Sequence, residues 1–157
     1  MAILHIGVGD TKPKEEGHLN VDIRDLPNID IVADAKKLPF KKGEHDAIVT
    51  RNLVEHFGRH EIDDLFKEWA RVLKKGGQVV IETVDVGRLM DNWHNIPTEN
   101  WLDGILGAQT YPENFHKMSF TEGIMYEKLA KAGFQIDEFR TIVHREIPRM
   151  QVIATKL

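Results

Sequence analysis

His56, His116, Asp85 and Glu55 are the side chains of this sequence best suited to moving a proton between a bound molecule and water. An imidazole titrates near neutrality, so it can take up a proton and give it back, and a carboxylate can stand behind it. Eight histidines in 157 residues also raise the question of a metal. His56 and His60 are four apart, a spacing that chelates when it falls on a helix. Gly58 interrupts the helical pattern between them, a third ligand cannot be named, and no metal is expected. With no cysteine in the chain, thiolate metal sites, disulfides and cysteine nucleophiles are excluded.

The residues able to hold a ligand stand at the ends of short apolar runs. Residues 2–6 read as a first buried strand entering the turn Gly7-Val8-Gly9-Asp10, where Gly7 and Gly9 are free to take positive φ and let a ligand approach the backbone. Residues 19–23 read as a second strand that delivers Asp22 and Ile23. A carboxylate at Asp22 can accept two hydrogen bonds from a ribose diol. Residues 29–33 form a third run ending at Asp34-Ala35, followed by Leu38-Pro39-Phe40. Asp34 can accept from an exocyclic adenine amine, with Leu38 walling the ring, or it can cap a helix or turn the chain. Residues 45–57 (H-D-A-I-V-T-R-N-L-V-E-H-F) read as a central strand carrying Thr50, Arg51, Asn52, Glu55 and His56 at its carboxyl end. In an open parallel sheet that end is where ligands bind.

Other elements must position these groups. Residues 59–73 place Ile62, Leu65, Phe66, Trp69, Val72 and Leu73 on one helical stripe, with Trp69 in the core. Gly76-Gly77 reads as the end of that helix, with Lys74 and Lys75 in its last turn. Residues 78–84 form the next strand, and Asp85 lies just past it, either at a functional address or as the cap of a helix beginning near Val86. Residues 90–112 read as an irregular lid with short helical pieces. There and just beyond, Trp93, Trp101, Gln109, Tyr111, Asn114 and His116 would wall a small substrate, and each of the aromatics could equally pack the lid to the sheet. Thr121 opens a helix through Ala132, and residues 134–143 and 151–156 form an antiparallel hairpin at the sheet edge, joined through residues 144–149.

Only residues 10–18 separate the first two strands, too few for an ordinary parallel crossover. Pro13 and Gly17 bound no more than one helical turn, so the first crossover helix is missing or vestigial. That demotes NAD and FAD, whose pyrophosphate rests on a full helix N-terminus. A cofactor with a sulfonium centre and an amino-acid tail asks less of a helix dipole.

The length and the 41% hydrophobic content suit one domain over residues 1–157, with a cofactor half at 1–85 and a lid and substrate half at 86–157. A net charge of −4 leaves no electrostatic footprint for nucleic acid, which is disfavoured as a partner. No apolar run approaches the ~18 residues of a membrane span, and the start has no basic n-region, so a cytoplasmic protein is expected.

Several of these stretches resemble the class I S-adenosylmethionine-dependent methyltransferases, in particular the small type 11 group. L-H-I-G-V-G-D resembles the glycine motif, N-V-D-I the ribose acid and A-D-A-K-K-L-P-F the adenine motif. H-D-A-I-V-T-R-N-L-V-E-H-F is similar to the fourth-strand motif, and F-K-E-W-A-R-V-L-K-K-G-G-Q-V-V-I to the helix and fifth strand, with Lys75 in place of the usual proline. The resemblance implies an α/β fold, a three-layer Rossmann-like arrangement around a seven-stranded, mostly parallel sheet of order 3-2-1-4-5-7-6. It implies S-adenosyl-L-methionine as cofactor, with Gly7 and Gly9 passing its methionine end, Asp22 and Ile23 at the ribose, Asp34 and Ala35 at adenine, and Arg51 and His56 beside the site. The implied reaction is methyl transfer to a small-molecule acceptor, with His116, His56 and Asp85 as the groups for proton handling. A methyltransferase-like binding or scaffold module without activity is the alternative. With the first crossover helix gone, cofactor binding is expected to be weak unless a homo-oligomer or the lid completes the pocket.

Overall fold

The computed structural model describes residues 2–9 and 15–157. Seven strands, β1 (Ile3–Ile6), β2 (His18–Asp22), β3 (Ile31–Val32), β4 (His45–Arg51), β5 (Leu73–Val84), β6 (Phe134–His144) and β7 (Ile147–Lys156), form one sheet. Their order is β3-β2-β1-β4-β5-β7-β6, as the resemblance implies. The pairs from β3 to β5 are parallel, and β7 runs antiparallel to both β5 and β6. Four helices accompany the sheet: α1 (Ile62–Val72), α2 (Val86–Asp91), α3 (Thr98–Leu106) and α4 (Glu122–Lys131).

Side chains alternate across a pleated strand, so each strand sorts its residues between two faces. Leu4, Ile6, Ile48, Val79, Ile81, Val152 and Ala154 are buried against Ile62, Phe66 and Trp69 of α1 and Met125 and Leu129 of α4 in one main core. Asp63 ties these two helices together through Lys128 (3.0 Å) and Lys131 (2.5 Å). Out of phase with Ile81 and Val152 stand Val84 and Ile147, which join Leu89, Ile96, Trp101 and Ile105 in a smaller cluster under α2 and α3. Helices therefore lie on both faces.

The two faces are covered unequally. The chain moves one way from the sheet centre between β1 and β2 and the other way between β4 and β5, so right-handed crossovers put the two connections on opposite faces. The β4 to β5 connection contains α1. Among the described residues no helix joins β1 to β2; Gly17 sits in a turn at φ +80, and Pro13 lies outside the described residues. On that second face Ala47, Val49, Val80 and Ile153 stay only half-buried.

α1 does more than fill the core. Its Trp69 Nε1 donates to Ala35 O (3.2 Å), and its Glu68 Oε1 accepts from Leu38 N (2.7 Å). Arg71 donates to Phe40 O (2.8 Å) and Leu38 O (3.1 Å) and pairs with Glu68 at 2.7 Å. The loop after β3 is thus fastened to α1 at both ends.

Three expectations are corrected, and the short helical pieces expected within residues 90–112 are present. α1 stops at Val72; Leu73 is already extended and opens β5, pairing with His45, while residues 74–77 bulge out before Gln78 pairs with Ala47. Lys74 spends its charge on Asp46 (2.7 Å), away from the helix end, and a Cβ at Gly77 would stand 3.0 Å from Asp46 O, so the bulge needs its glycine. The third strand shrinks to Ile31–Val32. Within residues 90–112 a nine-residue helix, α3, forms because Trp101 and Ile105 pack on the second cluster, and Gly107 at φ +76 ends it. The terminal strands run on to a two-residue reversal at Arg145 (φ 49) and Glu146 (φ 64), which replaces the long connection expected over residues 144–149.

Burial pushes the Glu68 carboxyl up, but the Arg71 guanidinium and the Leu38 amide pull it further down, leaving it below the ordinary value. Such a group stabilises the fold fully above its unfolded value and ceases to do so as pH falls through the lower folded one. Glu68→Gln should therefore cost about 1–2 kcal/mol at neutral pH. Urea midpoints of the two proteins, measured from pH 7 into the acid range, should converge as the wild-type carboxylate protonates.

Candidate functional site

At the carboxyl ends of β1, β2 and β4 the chain encloses a cavity of about 560 Å³, well within the ~300–1,000 Å³ of small-molecule sites. Gly7, Gly9, Asp22, Ile23, Asp34, Ala35, Arg51 and His56 all line it. They arrive there from four different segments of the chain.

The glycine turn leaves β1 with Gly7 at φ +70 and Gly9 at φ +68, a conformation that L side chains rarely adopt. Gly7 N donates to Val21 O (2.8 Å), which holds the turn beside the end of β2. Asp22, buried at that end, accepts from Gly9 N (3.0 Å) and Arg24 N (3.0 Å), and Arg24 Nε stands 3.3 Å from the same carboxylate. One carboxylate oxygen therefore reaches back to the glycine turn and the other to the chain after β2. Asp34 follows Ala33, whose N–H donates to Asp22 O (2.9 Å). Its Oδ1 accepts from Lys36 N (2.9 Å), so it is a turn residue and a cavity residue at once.

After β4 the chain turns sharply at Asn52, held at φ 52 with its N–H on Glu82 O (2.9 Å). Arg51 pairs with Glu82 at 3.6 Å. A short 3-10 turn, Val54–His56, then brings His56 to the cavity wall while Glu55 is buried beneath it.

The three proton-handling candidates separate. His56 lines the cavity, and its Nδ1 meets Phe115 O at 3.0 Å. His116 packs edge-on against His56 with ring centroids 5.0 Å apart and its Nδ1 on Gly104 O (3.1 Å), but it faces a smaller pocket behind the wall. Burial, reinforced by the neighbouring imidazole of His56, pushes His116 down to about 4, so it is neutral at physiological pH. Asp85 lines neither cavity. It caps α2 by accepting from Arg88 N (3.2 Å) and pairs with Arg88 Nε (3.2 Å), the structural one of its two sequence readings. His60 is exposed, accepts from Arg59 (3.1 Å) and does not join His56.

Of the aromatic and polar lid residues, Tyr111 and Asn114 line the cavity. Trp101 belongs to the second core cluster, Trp93 is exposed beside His94, and Gln109 is exposed in a turn at φ 55. Sequence reasoning passed over Arg24, whose guanidinium lies 4.9 Å from the Tyr111 ring and bridges the two sides of the cavity mouth. It also passed over Lys36, Glu61, Glu113 and Lys117. Only the place of Arg24 and Lys36, two residues past Asp22 and Asp34, could have flagged them. Among the described residues Arg24, Lys36, Arg51 and Lys117 line the wall with Asp22, Asp34, Glu61 and Glu113, four cations and four anions.

Residues 11–81 match the family model described as a methyltransferase domain. No protein of curated function matches the chain. Among solved structures, a SAM-dependent methyltransferase from Methanosarcina mazei aligns over 99% of this chain and 92% of its own at 19% identity and a TM-score of 0.69. The Burkholderia thailandensis 1,6-didemethyltoxoflavin-N1-methyltransferase, solved with bound 1,6-didemethyltoxoflavin and S-adenosylhomocysteine, aligns over 98% of this chain and 70% of its own at 15% identity and a TM-score of 0.72. A Haloferax volcanii methyltransferase in complex with the Trm112 activator aligns over 98% and 80% at 13% identity and a TM-score of 0.64. The chain thus has the class I S-adenosylmethionine-dependent methyltransferase fold, and a methyltransferase-domain sequence pattern runs through residues 11–81.

Gly7 offers a direct test of the turn. A Cβ there would stand 2.7 Å from Leu53 Cδ1, in a left-handed backbone that itself costs roughly 1–2 kcal/mol for an L residue. Thermal denaturation of Gly7→Ala should show a loss of at least that size. Gly17→Ala, also at positive φ but with no atom of the described residues within 4 Å of its Cβ, should show the backbone cost alone.

Proposed function

We propose that this protein transfers the methyl group of S-adenosyl-L-methionine to a small-molecule acceptor. The observation that carries the reading is the convergence of Gly7, Gly9, Asp22, Asp34, Ala35, Arg51 and His56 on one cavity at the carboxyl ends of the parallel strands. On this reading Gly7 and Gly9 pass the methionine end, Asp22 and Ile23 meet the ribose, and Asp34 and Ala35 face adenine. The balanced charge of the wall suits a ligand that is itself part zwitterion and part cation, and suits a pyrophosphate poorly. Arg51 and His56 then stand at the acceptor end with Tyr111, Asn114 and Lys117 across from them.

Methyl transfer is an in-line displacement at carbon, and holding the two reactants at ~3–3.5 Å supplies much of the rate. The acceptor's proton needs a nearby polar group. Of the three candidates only His56 lines the cavity, so we keep it alone at the acceptor end and give Asp85 a structural role. Residues 1–85 supply the cofactor side and residues 86–157 the lid of a single domain, which we place in the cytoplasm; among the described residues no helix is long and apolar enough to cross a membrane.

The alternative, a methyltransferase-like binding or scaffold module, draws its support from Arg24, which stands 3.3 Å from the Asp22 carboxylate where a ribose hydroxyl would bind. Calorimetric titration with S-adenosylmethionine and S-adenosylhomocysteine tests the cofactor site. Micromolar binding is expected, weakened by about tenfold or more in Asp22→Ala, as for a lost charge-assisted hydrogen bond. No binding at millimolar ligand would overturn the assignment, and binding without methylation across an acceptor screen would favour the scaffold.

A further inference from the structure

Behind the wall of the large cavity lies a group of side chains that methyl transfer does not use. Glu55 is 2% exposed, and among the described residues neither of its carboxylate oxygens has a hydrogen-bond partner. Thr83, whose hydroxyl is likewise buried and unpartnered among the described residues, lines the same pocket beside it. Both line a pocket of about 10 Å³ together with His116. Leaving a buried carboxylate unpaired costs free energy, and natural folds retain such a group where a proton, a charge or a metal satisfies it.

The two imidazoles beside it are set to supply lone pairs. A backbone carbonyl only accepts, so the Nδ1 of His56 on Phe115 O and the Nδ1 of His116 on Gly104 O must each carry the proton. Each Nε2 is then an unprotonated donor atom. Metal-binding histidines are characteristically oriented in this way, with the second ring nitrogen donating to a carbonyl or a carboxylate. One ligand atom from each of Glu55, His56 and His116 lies within 4.8 Å of the other two.

We propose that Glu55, His56 and His116 bind a divalent first-row transition cation of the zinc or iron type. Two imidazoles and one carboxylate suit such an ion better than magnesium or calcium, which prefer sets made of oxygen alone. A pocket of that size has room for a single water or a single ion. An ion there would satisfy both unpartnered carboxylate oxygens of Glu55 at once. His56 also lines the large cavity, so the ion would stand in the wall between the two spaces. Three protein ligands leave a coordination position open. A Lewis acid would then stand at the acceptor end in place of a free imidazole. The inference goes beyond the methyl-transfer reading, since the three donors meet whatever the large cavity binds.

Zinc chloride titrated into metal-free protein by calorimetry should bind with one-to-one stoichiometry, and cobalt chloride should give visible absorption bands of mixed imidazole and carboxylate ligation. Glu55→Gln keeps the shape of the side chain and removes its charge, and His116→Gln removes one imidazole; each should weaken zinc binding by about tenfold or more. Circular dichroism reports whether each variant is folded. If Glu55→Gln fails to fold, His116→Gln and His56→Gln decide the question, because both positions are partly exposed. Absence of zinc binding, binding that the variants leave unchanged, or displacement by equimolar magnesium would each overturn the proposal, the first pointing to a bridging water as the occupant. Titration of the same samples with S-adenosylhomocysteine keeps a failed metal site distinct from a failed cofactor site.

Discussion

The hydrogen bonds from α1 to the loop after β3 turn an open sheet edge into one wall of a cavity. β3 is two residues long and pairs only through Ile31 and Val32, so strand pairing alone would leave Asp34 and Ala35 on a loosely held edge. Trp69, Glu68 and Arg71 supply the missing hold at Ala35, Leu38 and Phe40. These three residues project from a helix whose Phe66 and Trp69 are wholly buried. The wall is therefore tied to the main core, because releasing it means breaking part-buried charge-assisted bonds and withdrawing the buried indole. The position of Asp34 opposite Asp22 follows from packing beneath the sheet as much as from the sheet itself.

The opposite wall is built on other terms. Tyr111 and Phe115 are 41% and 42% exposed, and the segment that carries them is held by a few backbone contacts, among them Lys117 N and Met118 N on Glu55 O and the carbonyl of Phe115 on His56. Few buried apolar contacts and exposed hydrogen bonds mark the low-stability end of a structure. A cavity with one fixed wall and one lightly held wall has an evident entrance, and the guanidinium of Arg24 against Tyr111 lies across it. The same Arg24 contacts Asp22, so the ion pair at the ribose position and the closure of the mouth share one side chain. Whatever draws Arg24 away from Asp22 also loosens the lid.

The legible parts of the chain were those governed by local pattern. Apolar runs and glycine placement located β1, the turn at Gly7 and Gly9, and the end of β2 at Asp22, while the stripe from Ile62 to Val72 gave α1. The illegible parts were decided by tertiary contacts or by backbone conformations without a sequence mark. Lys74-Lys75-Gly76-Gly77 reads equally well as a helix stop or as a bulge, and the choice falls to Asp46, which lies 28 residues back and takes the charge of Lys74. Arg145 and Glu146 reverse the chain at positive φ with no glycine or asparagine to announce it. Asp85 had two readings of equal standing until Arg88 appeared at its carboxylate. The partnership of Glu55 and His56 with His116 spans some sixty residues of chain, and the pattern instead offered His60, which the turn after His56 carries off to solvent.

That partnership follows from the geometry of a single 3-10 turn. With three residues per turn, side chains three apart lie on one side, so Leu53 and His56 face the same way, and both line the large cavity. Glu55 falls between them in sequence and therefore points elsewhere, into the protein, where it meets the smaller pocket. The tight turn exists because Asn52 adopts a left-handed conformation directly after β4, with its N–H on the backbone of β5 and its side chain on Arg149. One short stretch thus presents a polar wall to the large cavity and buries a carboxylate behind it. The left-handed Asn52 between them lets β4 end in both at once.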